Sequence, residues 1–342
     1  MATCYLREQG AIVRKKDERL LVVKDSQTVA EIQMHDLDQL VVMGNIELTT
    51  PAIALLLQSQ VDVVFMTVHG RVRGRFVANE SKFAELRLKQ LQVMSDEQKN
   101  LALARPIVVG KLTNQRFLIT QQSRTTTNAE IRAQASATIA GIVEMTARAQ
   151  SATHLDSLRG FEGKAGVYYW HAFLMLIPPG WGFRGRVYHP STDPINALLS
   201  FGYALLQKDI TAMVQLVGLD PYLGFFHAIH YGRPSLALDL MEEFRPLVVD
   251  SVVLNLVHQG IIRPADFSKT READKPILLT DDAVERVIRA YEEYVTMPVR
   301  YPLTGEQTTY RRCFELQTRQ MARVIKGETA GYQAMIVQAW GE

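Results

Sequence analysis

Between His227 and Pro246 the chain reads HAIHYGRPSLALDLMEEFRP, a stretch that gathers imidazoles and carboxylates at short spacing. Gly232 and Pro234 interrupt any helix that runs through His227, and Ser235 is suited to cap a new one. On that second helix Leu236, Ala237, Leu240 and Phe244 span one face, while Asp239, Glu242 and Glu243 gather on another. If the turn folds the first element back on the second, His227 meets the acidic stripe. One ring nitrogen and several carboxylate oxygens around a point are the donors of a divalent-cation site. The same stripe also has the form of a solvated helix face. His230 lies three residues from His227 and shares its helical face, so spacing does not choose between them. A further carboxylate, Glu162, stands between Gly160 and Gly163 in LRGFEGKAGVYYW. It is placed at an expected helix start, where an acid also suits the helix dipole.

The elements that must position these groups fall into two kinds. Residues 1–80 alternate β-branched runs (AIVRKK, RLLVVK, VAEIQM, QLVVMG, VDVVFM) with breaks at Gly44-Asn45 and His69-Gly70. Within them TTPAIALLLQSQ predicts a short helix, with Thr50 as its cap and Pro51 in its first turn. From Ser81 the period becomes helical, beginning with SKFAELRLKQLQVM, where Phe83, Leu86, Leu91 and Met94 share a face. Gly and Pro clusters at IPPGWGFRG, GLDP, YGRP and IIRPAD mark the later connections. Thr280 is placed to cap a helix through DDAVERVIRAYEEYV, and YRRCFELQTRQMARVIKGE is a second amphipathic helix. The expectation is an α+β protein of two domains, a small β-rich one over residues 1–80 and a larger all-α one over 81–342.

Composition narrows the setting. The 342 residues are 47% hydrophobic and 22% charged, ordinary for a globular chain and unlike a disordered one. The opening MATCYLREQG has charges where a signal peptide needs an apolar core, and no apolar run approaches the roughly 18 residues that span a bilayer. Cys4 and Cys313, without CxxC spacing, fit a reducing cytoplasm and no membrane. With a net charge of only +2, any nucleic-acid site must come from local clusters.

Six ordered segments together resemble the CRISPR-associated protein one family, the integrase subunit that inserts spacers into CRISPR arrays. They are AELRLKQ from Ala84, LARPIVVGKLTNQRFLI from Leu103, GFEGKAGVYYW from Gly160, DPINALLSFGYALL from Asp193, GLDPYLGFFH from Gly218 and SLALDLMEEFRPLVVD from Ser235. The resemblance implies a metal held by Glu162, His227 and Glu242, with Asp239 in catalytic support, and it gives His230 no such role. It also implies an N-terminal β domain that dimerises and a helical catalytic domain. A homodimer is implied, with CRISPR-associated protein two as the bridging partner. In the family's reaction a DNA 3′ hydroxyl attacks a phosphodiester, so no protein nucleophile is required. Mg²⁺ suits the oxygen ligands, and the imidazole raises the standing of Mn²⁺.

DNA, double-stranded and partly single-stranded, must then be held by basic side chains. In HGRVRGRF a strand would put Arg71, Arg73 and Arg75 on one side, as a phosphate stripe or as a charged guard on an edge strand. Arg184 and Arg186 lie in a Gly-rich connection beside Trp181, Phe183 and Tyr188, aromatics able to stack on bases. Lys111, Arg116 and Arg245 complete the basic set, Arg245 being equally a salt-bridge partner for Glu242 or Glu243. Three other readings use the same residues. One is a structure-specific nuclease with water as nucleophile, the second a mobile-element integrase, and the third a non-catalytic DNA-binding scaffold.

Overall fold

The β-branched runs at the start of the chain pair into two small sheets. The computed structural model describes residues 2–76, 83–125, 129–188, 190–270 and 276–337. Contacts divide the chain into two compact units, Met1–Ser81 and Lys82–Glu342. The expected boundary between residues 80 and 81 lies outside the described residues.

In the first unit, strands β1 (Thr3–Leu6), β2 (Ile12–Lys16), β3 (Arg19–Lys24), β4 (Gln27–Gln33), β5 (Gln39–Met43) and β6 (Glu47–Leu48) precede helix α1 (Thr50–Gln58). Strands β7 (Asp62–Met66) and β8 (Val72–Phe76) follow it. One sheet has the order β1-β5-β7-β8 and the other β4-β3-β2-β6. All of β5 is buried, which explains the apolar run Leu40–Met43: a strand covered on both faces has no solvent side to present. Val13, Leu20, Val22, Leu40, Val42 and Val63 share one core with Leu55 and Leu56 of α1. The α1 cap differs from the expectation. Thr49 takes the cap position, and its hydroxyl donates to the Val13 carbonyl at 3.1 Å instead of capping the helix. Thr50 is already helical, with Pro51 behind it in the first turn.

The second unit is mainly helical: α2 (Ala84–Met94), α3 (Glu97–Thr125), α4 (Ala129–Gln150), α5 (Leu155–Leu176) and α6 (Pro194–Val217) come first. After a long irregular connection come α7 (Ser235–Met241), a π-helical segment (Arg245–Asp250) and α8 (Ser251–His258). Hairpin β9 (Phe267–Lys269) with β10 (Ile277–Leu279) precedes α9 (Asp281–Thr296), and hairpin β11 (Pro298–Arg300) with β12 (Gln307–Thr309) precedes α10 (Tyr310–Lys326). The unit is therefore not purely helical, contrary to the expectation. The all-helical reading overlooked runs of three residues, too short for a period to be read. On α2 the buried positions are Leu86, Gln90 and Met94, while Leu91, expected on the inner face, is exposed. Thr280 caps α9 by accepting from the Ala283 amide, the role its position predicted.

Helix α6 is apolar nearly all round and runs through the core, as such a helix must. Asp193 caps it by accepting from the Asn196 amide at 2.9 Å, and Pro194 fills its first turn. Its two interior charges are compensated: Lys208 and Asp209 lie 2.8 Å apart, and Asp209 also faces Arg311 at 3.1 Å and accepts from the Tyr291 hydroxyl. Helix α7 packs on α6, and α3 packs on both α5 and α7, which brings Lys111, Glu162 and Glu242 to one cleft.

Candidate functional site

The acidic stripe is not a solvated face, and α7 ends at Met241, so Glu242 and Glu243 stand just beyond the helix expected to carry them. Asp239 and Glu243 are fully buried, and Glu242 is 3% exposed. Burying three carboxylates is tolerable only if each finds donors or cations, and each finds a different set.

Asp239 organises the chain before it. Its Oδ2 accepts from the amides of Phe225 and Phe226 at 2.7 and 3.0 Å, and its Oδ1 from the amide of His227 at 2.8 Å. Oδ1 also lies 2.6 Å from His227 Nδ1. With the carboxylate as acceptor, Nδ1–H is the donor of this bond, and the other ring nitrogen, Nε2, faces Glu242 Oε1 at 3.6 Å. Gly224 makes this approach possible, since a Cβ there would lie 2.7 Å from Asp239 Oδ2 and from the Ser235 backbone. The segment 221–234 is irregular, not the helix assumed around His227, because Asp239 takes up its amides in place of helical carbonyls. His230 is exposed and stands apart from the cleft. Ser235 begins α7 rather than capping it, and its hydroxyl donates to the Ala228 carbonyl at 3.0 Å.

Glu162 lies in the interior of α5, not in a first turn as expected. The helix begins at Leu155, with His154 as its cap residue, and runs through Gly160, Gly163 and Gly166 without a break. Glu162 Oε1 lies 2.5 Å from the ammonium of Lys111 on α3, and Glu242 Oε2 lies 2.5 Å from the same ammonium. One ammonium therefore compensates both carboxylates. Arg245 Nε stands 3.0 Å from Glu242 Oε1. Burial alone would raise the Glu242 carboxyl, but Arg245, Lys111 and His227 outweigh it and hold it down at about 2. For Lys111 burial opposes the charge, and the two carboxylates overcome it, so the ammonium holds its proton more firmly than usual.

A cleft of about 780 Å³ opens over these groups, with Lys111, Glu162, His227, Glu242, Arg184 and Tyr188 in its wall. Glu162, Glu242 and His227 therefore face a common space. As placed, no three His, Cys, Asp or Glu side chains among the described residues stand at ligating positions, and Lys111 is inserted between the two acids.

The basic candidates separate. Arg184 is exposed at the cleft and Arg116 is exposed on α3. Lys111 and Arg245 are turned inward to the carboxylates, so neither forms an outward phosphate contact as placed. Arg186 is fastened to Asn196 Oδ1 at 2.8 Å and lies 4.8 Å over the Tyr188 ring. Trp181 and Phe183 are buried and unavailable to bases, whereas Tyr188 is 72% exposed. On the edge strand β8, Arg73 is exposed, as is Arg71 just before it. Arg75 is held 2.5 Å from Asp62 of β7, which breaks the three-arginine stripe.

One feature of the wall escaped the sequence reading. Asp250 is buried, and both its oxygens accept from tyrosine hydroxyls, Tyr203 and Tyr169, each at 2.5 Å. Arg245 lies 4.6 Å over the Tyr203 ring. Burial pushes the Asp250 carboxyl up to about 6, against the pull of the two hydroxyls and of Arg245 and Arg186. A lone acid inside the apolar run RPLVVDSVVLNL was the available signal, since such a group requires buried partners. Glu243 is buried outside that wall: it accepts from the Tyr332 hydroxyl at 2.6 Å, Gln317 Nε2 at 3.0 Å and the Met335 amide at 2.7 Å.

A profile of the family described as CRISPR associated protein Cas1 matches residues 4–293. The chain belongs to the Cas1 family. A curated relative from Thermus thermophilus, named CRISPR-associated endonuclease Cas1 1, is 34% identical over 95% of this chain and 96% of its own length. A Cas4/Cas1 fusion from Geobacter sulfurreducens, named as an exonuclease and endonuclease, is 34% identical over 98% of this chain. The chain spans 60% of that fusion's length. Among solved structures, a casposase bound to integration product matches with a TM-score of 0.82 and 20% identity, over 97% of this chain and 93% of that one. This last is a likeness of fold.

Proposed function

We propose that the chain is a metal-dependent DNA integrase of CRISPR adaptation, joining the 3′ hydroxyls of spacer DNA to a CRISPR repeat. The observation that carries the reading is the meeting of Glu162, His227 and Glu242 at one cleft, from three separate parts of the chain. Family membership supplies the reaction class, and the casposase of similar fold was solved bound to an integration product.

A divalent ion suits this donor set. Glu162 and Glu242 each bring a carboxylate oxygen within 2.5 Å of one point, and the wall already accommodates a positive charge there at Lys111 Nζ. Glu162, Glu242 and His227 Nε2 are the ligands, with Mg²⁺ or Mn²⁺ as the ion. When bound, the ion supplies acidity to the attacking hydroxyl and balances charge on the phosphate. Asp239 is a positioning residue: it holds Nδ1 so that Nε2 points into the cleft, the usual support for a ligating histidine. Glu242, held ionised by its cationic neighbours, keeps its oxygens available as donors near neutral pH.

The substrate's 3′ oxygen forms the new bond to phosphorus, and the displaced 3′ oxygen of the target strand leaves. Arg184, Arg116 and Tyr188 present charge and an aromatic face to the DNA, with Arg71 and Arg73 as further phosphate contacts on the first unit. A homodimer formed through the first unit and bridged by Cas2 completes the assembly. A cytoplasmic location suits that work, and no described helix is long and apolar enough to cross a membrane.

Purified protein with a 3′-hydroxyl DNA, a labelled repeat-containing target and Mn²⁺ is expected to give covalently joined products. Glu162→Ala, His227→Ala and Glu242→Ala should each reduce joining at least about a hundredfold while DNA binding persists. Undiminished joining in all three folded variants would instead support a scaffold. The curated relatives are named endonucleases, which favours hydrolysis as the second reading. Cut products without joined ones would select it.

A further inference from the structure

Lys111 occupies the place where the two carboxylates would share an ion. Its ammonium is 2.5 Å from Glu162 Oε1 and 2.5 Å from Glu242 Oε2, on a side chain only 13% exposed. A divalent ion bound by both of those oxygens, at about 2.0–2.6 Å from each, would fall on nearly the same point as the lysine nitrogen. The two cannot coexist, because their volumes overlap and like charges repel strongly in a buried site. We infer that Lys111 is an internal competitor for the divalent ion, a tethered cation that must swing out of the carboxylate pair before metal can enter.

This inference rests on the metal-site reading and adds its regulation. A lysine is suited to the task. Its single charge sits on a four-carbon stem with free rotation, so the ammonium can leave without moving α3. The cleft that carries Arg184 in its wall lies beside it. A displaced ammonium there meets the phosphates of bound DNA, which reconciles the inward position of Lys111 with a later role on the substrate. DNA that draws the ammonium away would favour metal entry, and by linkage the metal would favour DNA to the same degree. The competitor also keeps the two acids compensated when they hold no other cation, and so avoids a buried pair of like charges.

The test is a Mn²⁺ titration of the full chain without DNA, with free ion read by electron paramagnetic resonance. Wild type is compared with Lys111→Met, Lys111→Gln, Lys111→Arg and Glu162→Gln, each first checked for fold by circular dichroism. Lys111→Met should bind Mn²⁺ about tenfold more tightly than wild type, within the usual range of site coupling. Its melting midpoint should rise more than the wild-type midpoint on adding the ion. Lys111→Gln should move in the same direction, and it carries the test if the methionine variant does not fold. Lys111→Arg, which keeps the charge, should stay near wild type. Equal or weaker binding by the folded neutral variants overturns the competitor, even if Glu162→Gln shows that the site itself is real. Wild-type binding that survives Glu162→Gln unchanged places the ion elsewhere and overturns both the site and the competitor.

Discussion

Three neighbouring acids on one short stretch do different work because each meets different atoms. Asp239 spends its oxygens on three amides and one imidazole, Glu242 stands among cations, and Glu243 is tied to Tyr332, Gln317 and the Met335 amide. The fourth buried acid nearby, Asp250, gives a pH test. Its carboxyl is pushed up to about 6 by burial, above the ordinary 3.8 of an exposed aspartate. The folded chain therefore binds a proton at this position that the unfolded chain does not, between those two values. Stability contributed by the proton is present at low pH and is lost as pH rises through about 6. Relative to Asp250→Asn, wild type should lose about 2 kcal/mol of unfolding free energy between pH 4 and pH 7. Urea unfolding of both proteins at the two pH values measures this, and parallel behaviour would show that Asp250 titrates normally. Burial of these acids was hidden in the sequence. Spacing placed Asp239, Glu242 and Glu243 on one face, but whether that face meets water depends on α3, α5 and the C-terminal segment, distant in sequence.

At the scale of elements, long periodic helices and β-branched strands were legible, and irregular segments were not. Helix α10 and the Thr280 cap of α9 follow local rules and were read directly. The segment 221–234 was not, because its shape is set by Asp239 from the following helix rather than by its own residues. Gly160 and Gly163 suggested a helix boundary, whereas α5 runs through both, and a Cβ at either position would meet open space. Gly224 is the opposite case. Gly224→Ala would drive a Cβ against Asp239 Oδ2 and the Ser235 backbone, and the expected cost is about 1–3 kcal/mol. The amides of Phe225, Phe226 and His227 should then exchange hydrogen faster, while those of α10 stay protected. Unchanged exchange at these three amides would show that the loop does not depend on the close approach.

For the whole molecule, each unit has its own hydrophobic core and a distinct set of basic side chains. In the first unit Arg71 and Arg73 are exposed, and in the second Arg116 and Arg184 are. The modest net charge of +2 concealed these local arrangements, and sequence alone could not tell which arginines were committed to partners such as Asp62 and Asn196. The six family segments pointed to Glu162, His227 and Glu242, while the lysine inserted between the two glutamates was visible only in three dimensions. The account depends on Glu162, His227 and Glu242 sharing one ion. A crystal of the full chain soaked in Mn²⁺, with data collected for anomalous scattering, tests this most directly. It should show a Mn²⁺ peak about 2.0–2.6 Å from an oxygen of each glutamate, within bonding reach of His227 Nε2, and with the Lys111 ammonium moved away. A well-occupied Mn²⁺ site elsewhere, with Lys111 still between the two carboxylates, would contradict it.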